Sequence, residues 1–272
     1  MSGLSWENIE SLRGPLATKV ELHEEVSSTQ ERARELARAG APHGTLVISK
    51  VQTGGRGRLG RRWDSPAGGL WMSLVLRPGI STRVAPRMTQ TTAVGVAKAL
   101  RGFGVEARIK WPNDLLVDGR KICGMLAESS VESVPVAAKP VGPGAERPVD
   151  FVVLGVGLNA NVDPQDLGVP DRGVATLRSE LGRDVDLLEL LESLLSHLDA
   201  ELGRIENLGA ILGEWRALNC TLGERVRVRR LGEVLEGVAL DLGPEGELLL
   251  KTHDGVIELF EGEIEQLRQA RI

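Results

Sequence analysis

Gln52-Thr53-Gly54-Gly55-Arg56-Gly57-Arg58-Leu59-Gly60-Arg61-Arg62-Trp63 carries four glycines, four arginines and a closing tryptophan in twelve residues. Glycine lets a backbone approach a ligand closely, and a guanidinium forks onto phosphate or carboxylate oxygens. The composition is that of a loop built to close over an anion. Within it, Gly55-Arg-Gly-Arg-Leu-Gly60 has the Gly-x-Gly-x-x-Gly spacing of a dinucleotide fingerprint. That fingerprint needs a helix to begin at the glycines, so that the helix N-terminus holds the pyrophosphate. Asp64-Ser-Pro-Ala-Gly-Gly69 follows instead, and turn chemistry of this kind cannot extend a helix. A Rossmann site fails on context, and no Gly-x-x-x-x-Gly-Lys-Ser/Thr run signals a P-loop. Read alone, the loop also fits a solvated basic segment or a nucleic-acid patch.

Working outward, 45–51 reads as a buried strand leading into the loop, and Leu70–Leu76 as the strand that follows it. Ser28-Thr-Gln-Glu31 has capping-box spacing and starts a helix that ends at Gly40, a natural C′ residue. A short helix over 5–13 is expected, capped by Ser5, and a long one over 84–101, ended by Gly102 and Gly104. A strand over 105–110 precedes a hairpin of 115–117 and 121–128 about Asp118-Gly119, a strong hairpin signal. Residues 133–149 read as a long surface loop and 151–157 as a buried strand. Leu187, Leu191, Leu194, Leu195 and Leu198 recur at helical spacing in 186–203 and predict core packing. From Thr221 short segments at 226–230, 235–242, 247–251 and 256–260, separated by turn residues, predict a small β-barrel. The boundary falls at 219/220, giving domains 1–219 and 220–272.

A net charge of −5 argues against a generally basic nucleic-acid binder and makes the arginine loop a local feature. Cys123 and Cys220 fit no metal-ligand spacing and read as reduced thiols. The first residues lack a signal-peptide pattern, and no apolar run reaches a membrane span, so a cytoplasmic protein with no membrane partner is expected. Three further clusters stand out. Lys110-Trp-Pro-Asn-Asp114 sets a cation beside two oxygen-bearing side chains, the donors a magnesium–nucleotide site needs. Arg120-Lys-Ile-Cys-Gly124 puts Lys121 at the start of the second hairpin strand, and Gly155-Val-Gly-Leu-Asn159 ends a strand in small residues and an amide.

The order of these motifs resembles the biotin–protein ligases, also called biotin–[acetyl-CoA-carboxylase] ligases: Ser28-Thr29, the glycine–arginine loop to Trp63, Lys-Trp-Pro-Asn-Asp, Arg-Lys-x-x-Gly, then Gly-x-Gly-x-Asn. The resemblance spans about 22–268, because the segment with Gly262-Glu263-Ile264 is similar to that family's SH3-like tail. It implies an α/β (α+β) fold: a mixed β-sheet with helices on one face, forming a biotin/lipoate ligase-like catalytic domain, plus a small SH3-like β-barrel. It also implies a two-step reaction. MgATP and biotin give biotinyl-5′-AMP and pyrophosphate, and a lysine of a biotin carboxyl carrier protein or domain then takes the biotin.

Carried over by motif, Ser28, Thr29, Gln30, Gln52, Gly55, Arg56, Gly57, Arg58, Lys121 and Gly124 would bind biotin. Arg58, Arg61, Trp63, Lys110, Asn113 and Asn159 would bind ATP, with Trp63 stacked on adenine. Lys121, Arg58 and Lys110 would be the catalytic cations, and Asn113 and Asp114 would meet Mg²⁺ through the nucleotide. Gln30 departs from the family's usual Asn, which touches the ureido-ring contacts. A lipoate–protein ligase shares the fold and the acyl-adenylate logic, but the glycine–arginine loop with the β tail favours biotin. Relatives that also repress transcription carry an N-terminal helix-turn-helix. This chain starts almost at the first motif, so a monofunctional ligase without nucleic-acid binding is expected. A homodimer through the sheet edge is one arrangement the resemblance allows.

Overall fold

The computed structural model describes residues 6–131, 147–168, 173–230, 232–243 and 245–267. Most of the expected 133–149 loop lies outside these residues. The larger sheet comprises β1 (Lys19–Val26), β2 (Thr45–Gln52), β3 (Leu70–Leu76), β4 (Arg108–Lys110), β5 (Asp114–Val117), β6 (Arg120–Val131) and β7 (Val149–Leu158). Its strand order is β1-β2-β3-β7-β6-β5-β4. The β1–β2 pair is parallel and every other neighbouring pair antiparallel, so the sheet is mixed. The hairpin expected at Asp118-Gly119 is present: Val117 pairs with Arg120, and both turn residues have positive φ, 48° and 76°.

Alternation along the strands sorts two apolar layers. Val47, Val75, Phe151 and Val153 face α1 (Thr29–Arg38) through Ala33 and Ala37. Leu46, Ile48, Leu74, Val152 and Leu154 point the other way and join the main core with α2 (Arg87–Gly102). Two longer helices, α4 (Leu187–Leu202) and α5 (Leu208–Leu218), pack on α2, while α3 (Leu177–Leu181) is a single capped turn. The main helical layer therefore lies on one face as expected, and α1 packs on the other. All five leucines expected to pack in the 186–203 helix are buried, as is Leu190. Leu194→Ala should cost about 3 kcal/mol, since the void it leaves cannot refill inside a close-packed layer. Urea unfolding monitored by far-UV circular dichroism would measure this.

Where sequence and structure differ, local reasons are visible. Residues 6–11 form a 3₁₀ rather than an α-helix. The strand expected over 105–110 is paired only at 108–110. The capping-box spacing at Ser28 is not used as a cap: the Ser28 side chain makes no cap bond, and the Thr29 N–H is taken by Gln52 Oε1 at 2.8 Å.

A second, antiparallel sheet holds β8 (Arg225–Arg230), β9 (Glu233–Leu242), β10 (Leu248–Thr252), β11 (Gly255–Leu259) and β12 (Glu263–Gln266), ordered β11-β10-β9-β8-β12. It is docked firmly on the first part. Trp111 N donates to Thr221 Oγ1 at 3.0 Å, Cys220 N to Ile109 O at 2.9 Å, and Val226, Val228 and Leu248 join the same continuous core. Among the described residues no helix is long and apolar enough to cross a membrane.

Candidate active site

The glycine–arginine loop is a narrow hairpin. Gln52 N donates to Ser65 O, Trp63 N to Gly55 O and Gly57 N to Arg61 O, at 2.8–3.1 Å, around a tight turn at Arg58–Gly60. Its base is stitched to the end of β1 by Thr53 N to Val26 O and Gly54 N to Ser27 O. The hairpin leans over the α1 face of the sheet and roofs a cavity of about 340 Å³.

Every site residue expected from the sequence lines this cavity except Gly55. Gly55 serves the hairpin itself, accepting from Trp63 N. The floor is made where β3, β7 and β6 run side by side and Ser73, Gly155 and Leu126 stand in register. Trp63 lies on this floor. A Cβ at Gly157 would sit 2.6 Å from its Nε1, and one at Gly155 would sit 2.5 Å from Gln30 Oε1. Absence of side chains here is what lets an indole and an amide rest on the strands. Trp63 also meets Trp71 edge-on, with ring centroids 6.4 Å apart.

The cavity has two chemically different ends. At one, Ser28 and Thr29 lead into α1, and Thr29 N and Oγ1 both reach Gln52 Oε1, at 2.8 and 3.0 Å. Gln52 Nε2 donates to Ser65 Oγ, and Thr29 Oγ1 lies 2.9 Å from Ser73 Oγ. Ser28 Oγ is buried with no hydrogen-bond partner, so this end keeps an unspent hydroxyl.

The other end is cationic. Lys121 Nζ lies 2.6 Å from Asp114 Oδ1 and 4.8 Å from the Trp63 ring centroid. Arg58 donates to Asn113 Oδ1 at 3.3 Å and approaches Gly262 O at 3.5 Å. Burial lowers the Arg58 guanidinium from its ordinary value, while Asp114 and Glu261 oppose the drop. Arg61 makes a two-pronged ion pair with Glu263, which raises its pKa, and Arg56 pairs with Glu31 at 2.8 Å. Lys110 lines the cavity on the β4 side. Asn159 is 2% exposed and spends its Nδ2 on Ala175 O and Lys121 O, at 3.0 and 3.3 Å. Its Oδ1 has no hydrogen-bond partner.

A cleft with a neutral polar end and a cationic end, under a glycine–arginine hairpin, suits a molecule with a polar head and an anionic tail that must meet a phosphate. Residues 22–141 match the biotin/lipoate A/B protein ligase family, and 221–265 match the biotin protein ligase C-terminal domain. The bifunctional ligase/repressor BirA of Bacillus subtilis is 35% identical over 248 residues, 89% of this chain and 72% of that protein. The chain belongs to the biotin/lipoate A/B protein ligase family. A biotin--[acetyl-CoA-carboxylase] ligase from Paracoccus denitrificans is 32% identical, over 82% of this chain and 90% of that one. The solved biotin protein ligase from Aquifex aeolicus in complex with biotin and ATP aligns with a TM-score of 0.74 at 26% identity. That alignment covers 93% of this chain and 100% of that one.

For a ligase of this family, several site residues were not visible in the sequence. Ser73 and Leu126 are unremarkable strand residues, and only register brings them beside Gly155. Glu263 lies 202 positions from Arg61, and only the Gly262-Glu263-Ile264 run points to it in the sequence. Glu31, read as half of a capping box, instead holds Arg56.

Proposed function

We propose that the chain is an ATP-dependent biotin–protein ligase whose 28–30 and 52–65 segments hold biotin and whose Lys121 end performs the activation. The observation that carries this is Lys121. It stands on the glycine floor between a carboxylate and an indole face, where a substrate carboxylate and an α-phosphate would converge.

Biotin's carboxylate oxygen attacks the α-phosphorus of ATP, the bond to the pyrophosphate oxygen breaks, and biotinyl-5′-AMP forms. A carrier lysine's ε-amine then attacks the acyl carbon, and AMP leaves. Two anions must meet in the first step, so cations that offset their repulsion lower its barrier. Lys121 faces the carboxylate and the reacting phosphoryl oxygen, Arg58 closes from the hairpin, and Lys110 and Arg61 take the outer phosphates. Trp63 offers its face to adenine. Ser28, Thr29 and Gln52 take the ureido head, and Gly57, Gly124 and Arg56 flank the valeryl chain.

Mg²⁺ enters on the nucleotide. Among the described residues no cluster of three His, Cys, Asp or Glu side chains gathers. A cation here would draw most of its oxygens from phosphate, with the Asn113 and Asp114 oxygens beside it. We place the catalytic domain at 1–219 and the C-terminal β domain at 220–272. The acceptor is a biotin carboxyl carrier domain, and neither DNA binding nor self-association is required by this chemistry.

The test is incubation with MgATP and either biotin or lipoate, with mass spectrometry for the acyl-AMP and a streptavidin blot for transfer to a carrier domain. Lipoyl-AMP as the sole product would overturn the reading. Arg58→Ala should still form the adenylate but retain it poorly. Half-buried at the turn of the hairpin, the guanidinium is among the groups shielding the mixed anhydride. Free biotinyl-AMP in the filtrate and labelling of bystander lysines should rise about tenfold or more. Acceptor-specific labelling equal to wild type would remove the hairpin from that gating role.

A further inference from the structure

We infer that Glu128, which does not line the main cavity, fixes the hydrogen-bond polarity of the cavity's head-group end and so acts as a specificity-setting positioning residue. This rests on the reading of that end as the biotin ureido site. Glu128 is carried on β6 opposite Val153, and its carboxylate is held by Arg34 of α1. Gln30 Nε2 donates to both Glu128 Oε2, at 2.8 Å, and Val153 O, at 3.1 Å. Two acceptors at one side of a buried amide admit only its NH₂ group there. Gln30 Oε1 must then face Ser73, and it accepts the Ser73 hydroxyl proton at 3.2 Å.

The relay continues to the cavity. With its proton committed to Gln30, Ser73 Oγ can only accept from Thr29 Oγ1, 2.9 Å away. Gln52 Oε1 is likewise an acceptor, fixed by the Thr29 backbone N–H, with Gln52 Nε2 turned to Ser65. Thr29 therefore spends its single hydroxyl proton inside the protein, on Ser73 or on Gln52. What it offers a ligand is a lone pair. Ser28 Oγ, without a partner, keeps its proton to give. The end thus presents one acceptor and one donor, matching the N–H and C=O of a cyclic urea, and it offers a dithiolane ring nothing. Gln30 lines the cavity as well, but its amide is engaged by Glu128, Val153 and Ser73, so the departure from Asn acts through the relay. The Gly155 position leaves the room this longer side chain uses.

The experiment measures affinity of wild type, Glu128→Leu, Glu128→Gln and Ser73→Ala for biotin and for biotin methylated on both ureido nitrogens. Methylation removes the donors, and its steric cost is common to all four proteins. Glu128→Leu and Ser73→Ala should each weaken biotin about tenfold while changing the methylated analogue less than about twofold, because only the donors use the relay. Glu128→Gln still offers an oxygen to Gln30 and should stay within about threefold of wild type. The KM for ATP should be unmoved in all. Equal weakening of both ligands, or a Gln variant as weak as the Leu variant, would reduce Glu128 to a structural role. Ser73→Ala carries the test if the Leu variant does not fold. Wild type that binds lipoate and not biotin overturns the site reading and the relay together. Biotin binding without differential loss overturns the relay alone.

Discussion

Lys121→Ala should lower biotin-dependent pyrophosphate exchange by about 10³-fold, the effect of removing one preorganised group that meets developing charge. The side chain is about one-third exposed, but the Asp114 Oδ1 it meets is buried, so the pair is only partly screened and its loss is a modest cost to stability. Its backbone does the structural work through Ala175 N, which donates to Lys121 O at 3.0 Å, and through pairing with Leu116 on β5. Alanine keeps both, so thermal unfolding should shift by no more than a few degrees. Exchange at the wild-type rate would take Lys121 out of the mechanism, and a collapsed melting curve would show the side chain to be structural.

Gly157→Val should raise the KM for ATP by about 10- to 100-fold and leave the KM for biotin much closer to wild type. Valine suits a buried strand, so β7 should persist. Its Cβ, however, would stand 2.6 Å from Trp63 Nε1, and the indole must leave the floor. Loss of one aromatic stacking platform for a base costs roughly 1–3 kcal/mol, which sets the expected range. Trp63 should become more solvent-exposed, giving a red-shifted emission component. An unchanged KM for ATP would show that adenine does not use this ring.

The parts of the site carried by local chemistry were readable in advance. The glycine–arginine hairpin, the Asp118-Gly119 turn, the buried strands β3 and β7 and the leucine face of α4 each carry a pattern within a dozen residues. What escaped depended on contacts between distant strands. β1, Lys-Val-Glu-Leu-His-Glu-Glu-Val, is a charged edge strand with half-exposed residues and no clean alternation. The turns around α5 and the glycines within it, Gly209 and Gly213, hid an eleven-residue helix. The spacing from Ser28 to Glu31 fits a cap, but the structure turns the Ser28 hydroxyl to the cavity instead. Ser73 and Glu128 carried no signal, because their meaning comes from sheet register and not from neighbours in sequence.

The hairpin over the cavity is fastened to β12 by Arg61 with Glu263 and by Arg58 against Gly262 O. Linkage is reciprocal: whatever tightens one partner of a contact must tighten the other by the same free energy. A nucleotide or adenylate that recruits Arg58 and Arg61 would therefore be felt in the C-terminal sheet. Amide hydrogen exchange along β8, which pairs with β12 from behind, would then be a gauge of how firmly the active site is shut, read from a strand that lines no part of the cavity.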